Sequence, residues 1–425
     1  MQQQQPLDLH SAALLFRMLR GLGIPASTDM LMSALLREES GKLAADSDGL
    51  LALYQASYLA FPGETELDQA RAFAVAKLAG RRDDGSADSC PSSTHLSLPL
   101  HWTAPRLQAM WSLKDQVERG RPDHQDQAII LQLAQLDFNL VQALHRRELA
   151  EVTRWWKETS RLGEHAFARD RVVECFFCAA CIAPEPRLAE CREVLAKAGA
   201  LIVHLDDIYD VYGTPDELRA FTDAVASWEH SATRTTHSPR RSWWRRSGSS
   251  RDSGHMPSFA QYVSNGWVTS TGPLLLLHAL PAAAAIPRPP IITTAACTVD
   301  YYPRLVELSS TIFRLCNDCA SHEAESERGD APSSIACCMA EPWCAGGEEQ
   351  ARAAVQGVIA ETWKLLNREV CCSCAEHEES LTTMANLCLN LARVIHCIYQ
   401  DGDGITTPTH RMKRMVKDLL FNPIL

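Results

Sequence analysis

The chain has 425 residues, 46% of them hydrophobic and 22% charged, with a formal net charge of −11. Such a chain can bury large cores in two or three domains, and its acidic balance excludes nucleic acid as the main partner. No apolar run approaches the ~20 residues of a membrane span, since Gly272 to Ile286 is broken by Pro273, His278 and Pro281, and the N-terminus carries no secretory signal.

In chain order, helical patterns run over Ser11 to Leu22, Asp68 to Leu78, Gln127 to Arg161, Arg187 to Leu205, Glu348 to Glu369 and Leu381 to Tyr399. Strand-like alternation is scarce, so the fold class expected is all-α. Gly80 to Ser93 is rich in Gly, Asp and Ser and is predicted to be a loop. Gly120 and Pro122, within Arg119 to Gln125, mark the expected domain junction. That divides the chain into 1–122 and 123–425. Ser231 to His255 is rich in Ser and Arg and reads as a disordered linker rather than a nucleic-acid site. Gly272 and Pro273 favour a break in the helical pattern after Val268. Either a kinked helix or a simple helix end would satisfy it.

There are sixteen cysteines. Without a signal peptide, reduced thiols are expected rather than a disulfide framework. Cys175, Cys178 and Cys181 have zinc-like spacing, as do Cys316 and Cys319. The first set lies in an apolar helical pattern without turn residues, so thiols packed on a helix face are the better reading.

Two oxygen-rich clusters carry the chemistry. The first is His204 to Thr214, at the end of an apolar segment. Asp206 and Asp210 are four residues apart and share one face of a helix. The second is Arg314 to Glu325, where Asn317, Ser321 and Glu325 fall at i, i+4 and i+8. Facing each other, two such helices would wall a cavity for Mg²⁺ and a diphosphate, because magnesium prefers oxygen ligands and bridges to substrate phosphates.

With these clusters on the page, the chain resembles a plant class I terpene synthase of the mono- and sesquiterpene branch. The family's Asp-Asp-x-x-Asp motif matches Asp206, Asp207 and Asp210. Its second metal motif matches Asn317, Ser321 and Glu325. Its Arg-x-Arg element matches Arg169 and Arg171, and its arginine before the second motif matches Arg314. Further matches are Leu98 to Trp102, Leu136 to Asn139, Arg154 to Lys157, Arg328 to Asp330, Ser333 to Ile335 and Tyr399 to Asp403. The similarity covers about Leu7 to Ile424.

The resemblance implies a partial N-terminal α-barrel-like domain without chemistry and a C-terminal class I terpenoid synthase helical bundle. It implies three Mg²⁺ ions, with Mn²⁺ as substitute, and ionisation of geranyl or farnesyl diphosphate to a mono- or sesquiterpene. Asp206, Asp207, Asp210, Asn317, Ser321 and Glu325 are the expected metal ligands. Arg169, Arg171 and Arg314 are expected to hold diphosphate, with Arg328 a lesser candidate. Tyr399 is expected among the catalytic residues. Trp267 joins Arg169, Asp206, Asp210, Arg314 and Asn317 in substrate binding, and Phe176 and Phe177 are further candidates to line the cavity. Cys178 and Cys338 stand where the family commonly has tryptophan and tyrosine. A monomer without a membrane span is expected, cytoplasmic as written, or chloroplastic if a transit peptide is missing. Family sequence ahead of Leu7 and some bundle helices have no counterpart, so a catalytically inactive remnant is the alternative. A prenyl-chain elongase is disfavoured, because those enzymes usually carry two Asp-rich motifs.

Overall fold

The computed structural model describes residues 7–40, 47–83, 98–120, 125–160, 162–164, 167–232, 256–283, 303–329, 331–375 and 379–425. Every regular element among them is helical. Four helices precede residue 84: α1 (Leu9–Gly21), α2 (Asp29–Ser40), α3 (Ser47–Ser57) and α4 (Thr65–Asp83). Asp8 caps α1 by accepting from the Ser11 amide at 2.7 Å. Then come α5 (Pro105–Glu118), α6 (Gln125–Arg154), α7 (Val172–Ile182), α8 (Ala189–Asp207) and α9 (Pro215–Ala232). The chain continues through α10 (Phe259–Gly266), α11 (Thr271–Ala283), α12 (Pro303–Arg328) and α13 (Ser334–Met339). It closes with α14 (Gly347–Ala375), α15 (Glu379–Tyr399) and α16 (His410–Leu420).

Some expectations need correction. The loop predicted from Gly80 starts later, because α4 runs to Asp83. One glycine costs a helix only about 1 kcal/mol, and the surrounding Ala, Lys and Arg favour it. Residues 84–93 of that loop, and 233–255 of the predicted linker, lie outside the described residues. The pattern over Gln127 to Arg161 is helix only to Arg154 and continues as a π turn, Trp155–Thr159.

Two hydrophobic cores form. The smaller spans Leu9 to Ala74. The larger runs from Leu98 to Ile424 and includes Leu107, Met110 and Leu113 of α5. That places α5 with the bundle, although it was expected in 1–122. Gly120, with φ +94°, ends a helix of the larger unit and marks no break between cores. Trp102 joins the two cores, with its ring centroid 5.0 Å from Tyr58 and 4.7 Å from His396. Lys364 on α14 reaches Asp68 at 2.7 Å.

One helix does have the length and composition of a membrane span: Leu381–Tyr399, with mean hydropathy 1.3. The sequence marks it as a helix but not as a long apolar run, because polar residues interrupt it. It is 78% buried inside the protein, as a core helix should be.

Candidate metal and diphosphate site

Five helices pack in a ring: α7 on α8, α8 on α11, α11 on α12, α12 on α15, and α15 back on α7. They enclose a cavity of about 1050 Å³. Both acidic clusters open into it, with Asp206, Asp207 and Asp210 on one side and Asn317, Ser321 and Glu325 on the other.

The first wall is the end of α8. The helix stops at Asp207 and passes into a π turn, Ile208–Tyr212, closed by the Gly213 amide donating to the Ile208 carbonyl at 2.7 Å. Such turns often mark functional sites. Gly213 is required there, because a Cβ would lie 2.6 Å from that carbonyl oxygen and 2.5 Å from Leu218. Asp206 and Asp210 are both open to the cavity. Partial loss of hydration inside the cavity and the like charge of Asp210 together raise the Asp206 carboxyl to about 7.

Asp207 behaves differently. It is 2% exposed and accepts from the Arg169 amide at 2.7 Å and from Arg169 Nε at 2.6 Å. Its carboxylate therefore anchors the segment ahead of α7 as well as holding the guanidinium, and a metal would have to compete with both bonds.

The second wall is α12, a continuous helix. Ser321 Oγ donates to the Asn317 carbonyl at 2.9 Å, a bond that uses its proton and not its lone pairs. Asn317 also shares a side-chain hydrogen bond with Tyr399, whose phenol burial holds well above its ordinary pKa. Between the ligand positions sits Asp318, 1% exposed, accepting from the Ser334 amide at 3.0 Å. Arg314 approaches Asp318 at 3.7 Å and donates to the Thr269 carbonyl at 3.1 Å.

Helical register sorts the expected lining residues. Cys175, Cys178, Ala179 and Ile182 form one stripe of α7 and line the cavity. Phe176 and Phe177 lie off that stripe and are fully buried core instead. Trp267 also lies outside the cavity wall, in the 3₁₀ turn Trp267–Thr269. That turn breaks the helical pattern, which resumes as α11, so Thr269, Ser270 and Thr271 face the cavity. The aromatic wall is Phe313, Tyr399, Tyr262 and Tyr212.

Arg171 is absent from the wall as well. It donates from Nε to the Ile405 carbonyl at 2.9 Å and from Nη2 to that of Thr406 at 3.2 Å. Asp403 braces the same loop by accepting from the Ile405 amide at 3.0 Å and the Thr406 amide at 2.9 Å. Arg169, Arg314 and Arg328 do line the cavity. Sequence reasoning missed Asp318, Tyr262 and Asp403. Asp318 lay inside the second motif, and the Asp401 to Asp403 run was the signal for the third.

The donor set is all oxygen, which fits a hard divalent ion. Among the described residues no three His, Cys, Asp or Glu side chains cluster closely enough to hold one unaided. Phosphate oxygens from a substrate would complete such a site.

Comparison with known proteins agrees with this geometry. The family model described as "Terpene synthase, N-terminal domain" matches residues 1–97, and that of "Terpene synthase family, metal binding domain" matches 157–241 and 241–365. The chain is 36% identical to the chloroplastic isoprene synthase of Pueraria montana var. lobata, over 98% of this chain and 74% of that protein. It is 34% identical to a monoterpene synthase of Cananga odorata, over 99% and 76%. The crystal structure of isoprene synthase from grey poplar leaves, with three Mg²⁺ ions and dimethylallyl-S-thiolodiphosphate, superimposes with a TM-score of 0.78 at 32% identity. That match covers 98% of this chain and 85% of the poplar one.

Proposed function

Because this chain belongs to the terpene synthase family, we propose that it ionises a prenyl diphosphate, geranyl or farnesyl, and releases a mono- or sesquiterpene and diphosphate. One observation carries the reading: Asp206, Asp210, Asn317, Ser321 and Glu325 open into one cavity that Leu275, Leu391, Val394, Ile395 and Ile398 also line. A substrate with a charged head and an oily tail fits that lining.

Asp206 and Asp210 would hold Mg²⁺ from one side, and Asn317, Ser321 and Glu325 from the other. Three ions are the number expected, by likeness to the poplar structure. Bound there, Mg²⁺ supplies Lewis-acid stabilisation of the charge growing on the departing diphosphate. Arg314 and Arg169 present always-charged donors to phosphate oxygens. Asp207 orients Arg169, and Asp318 orients Arg314. The rings of Phe313 and Tyr399, with centroids 6.2 Å apart, offer π faces to a carbocation. Arg171 acts through the loop it fastens, which helps to keep water out. The helices up to Asp83 position the bundle and carry no chemistry. The chloroplastic names of the relatives support placement in the plastid.

A second reading is a remnant that keeps the metal walls without turnover. It rests on α9, most of whose described residues are exposed, including Phe221. Purified protein should be incubated with Mg²⁺ and dimethylallyl, geranyl or farnesyl diphosphate, and volatiles and diphosphate measured. A product with geranyl or farnesyl diphosphate supports the proposal, a product with dimethylallyl diphosphate alone keeps the enzyme but overturns its substrate, and none with all three leaves the remnant.

A further inference from the structure

Helix α6 has two apolar faces. One, with Phe138, Val141, His145, Leu149 and Val152, is buried in the bundle. The other side holds Ile129, Leu133, Leu136 and Leu140, which are 55, 66, 62 and 72% exposed. A helix normally turns polar residues to water on the side away from its core. Four large aliphatic side chains on one stripe form a patch of the kind that marks an interaction surface.

Their spacing defines the partner. From Asp126 the stripe runs Ile129, Leu133, Leu136, Leu140, Ala143 and ends at Arg147, in alternating steps of three and four residues. That is the heptad seam by which two helices interlock. The seam is apolar through its middle, acidic at one end and basic at the other. We propose that α6 pairs with α6 of a second copy of this chain, antiparallel, about a two-fold axis near Leu136. In that register Leu136 meets its counterpart, Leu133 meets Leu140, and Asp126 meets Arg147 at both ends. A parallel pair would instead set Asp126 against Asp126 and Arg147 against Arg147. Neither residue has an ion-pair partner within the chain among the described residues. The match is self-complementary, as a two-fold interface must be. The seam is long, about 32 Å at 1.5 Å per residue. This dimer departs from the monomer expected from the sequence and is independent of the activity.

Light scattering after size exclusion tests it. The wild-type chain should run at twice 47.1 kDa. Leu136→Glu should run at the single-chain mass with unchanged helical circular dichroism. Charge reversal separates pairing from folding. Asp126→Arg or Arg147→Asp alone should weaken the dimer roughly three- to tenfold, and the double variant should restore it. A wild-type monomer at micromolar concentration overturns the proposal, as it would if another segment of the chain covered the stripe. So does a dimer indifferent to Leu136→Glu, or a double variant no tighter than the single ones.

Discussion

The two walls of the cavity solve one problem in different ways. Each places a carboxylate beside its candidate ligand positions and then buries it for structural use. On the first wall this is Asp207, which clasps Arg169. On the second it is Asp318, which holds the start of α13 and approaches Arg314. The walls differ in how the remaining oxygens are held. Asn317, Ser321 and Glu325 ride a continuous helix, whereas Asp210 rides a π turn that only a glycine can close. Burial thus sorts neighbouring acids into anchors and candidate ligands, and the backbone beneath them sets how firmly each candidate is aimed.

The largest effect expected separates ligand from anchor on the first wall. Asp206→Asn should lower Mg²⁺-dependent diphosphate release by roughly 10²–10³, the scale for removing a group that stabilises charge in the transition state. Asp207→Asn should keep the Mg²⁺ dependence and instead lower stability in urea by about 1–3 kcal/mol, since a buried acceptor of two Arg169 bonds is compromised. If the two variants behave alike, the distinction fails.

On the second wall the same pairing sharpens the point. Glu325→Gln should raise the Mg²⁺ concentration for half-maximal rate by about tenfold, or ~1.4 kcal/mol of binding. Asp318→Ala should cost about 1–3 kcal/mol of stability by orphaning the Ser334 amide, with the larger change seen in thermal unfolding.

Titration offers a finer comparison. The Asp206 carboxyl is raised from 3.8 to about 7 in the fold, so the folded chain binds the extra proton between those values. Stability of the metal-free protein should fall as pH rises across that window and level off above it. Magnesium competes with the same proton, so its apparent affinity should climb about tenfold per pH unit below 7 and then flatten. Calorimetry with Mg²⁺ and a substrate analogue would read this, and Asp210→Asn should move the bend to lower pH.

The smallest effect concerns the turn. Gly213→Ala should displace Asp210 by forcing the Ile208 carbonyl aside, and lower the rate severalfold while Asn317 and Glu325 stay in place. An unchanged rate would mean the π turn does not aim Asp210.

Much of this was legible beforehand. Spacing of four residues on a helix is a local rule, so Asn317, Ser321 and Glu325 could be put on one face of α12 from the chain alone; Asp206 and Asp210 were expected on one helix face as well, but α8 ends at Asp207 and Asp210 lies in the π turn beyond it. That both faces share one cavity depends on a ring of five helices, which no local pattern states. The destinations of long side chains were hidden for the same reason. Arg169 finds Asp207, 38 residues on, and Arg171 finds carbonyls 234 and 235 residues on. The aromatic wall was missed for a more avoidable reason. Phe176 and Phe177 are one residue off the stripe of Cys175, Cys178 and Ile182, and a helical wheel would have turned them inward.

The grip of Arg171 on Ile405 and Thr406 has a consequence for how this chain could change over generations. It ties Ile405 and Thr406, which line the cavity, to the capping residue of α7, whose Cys175, Cys178 and Ala179 line it too. Substitutions along the α7 stripe that shift the start of that helix should therefore be felt at Ile405 and Thr406 as well, so changes to the cavity's shape and to that loop should arise together.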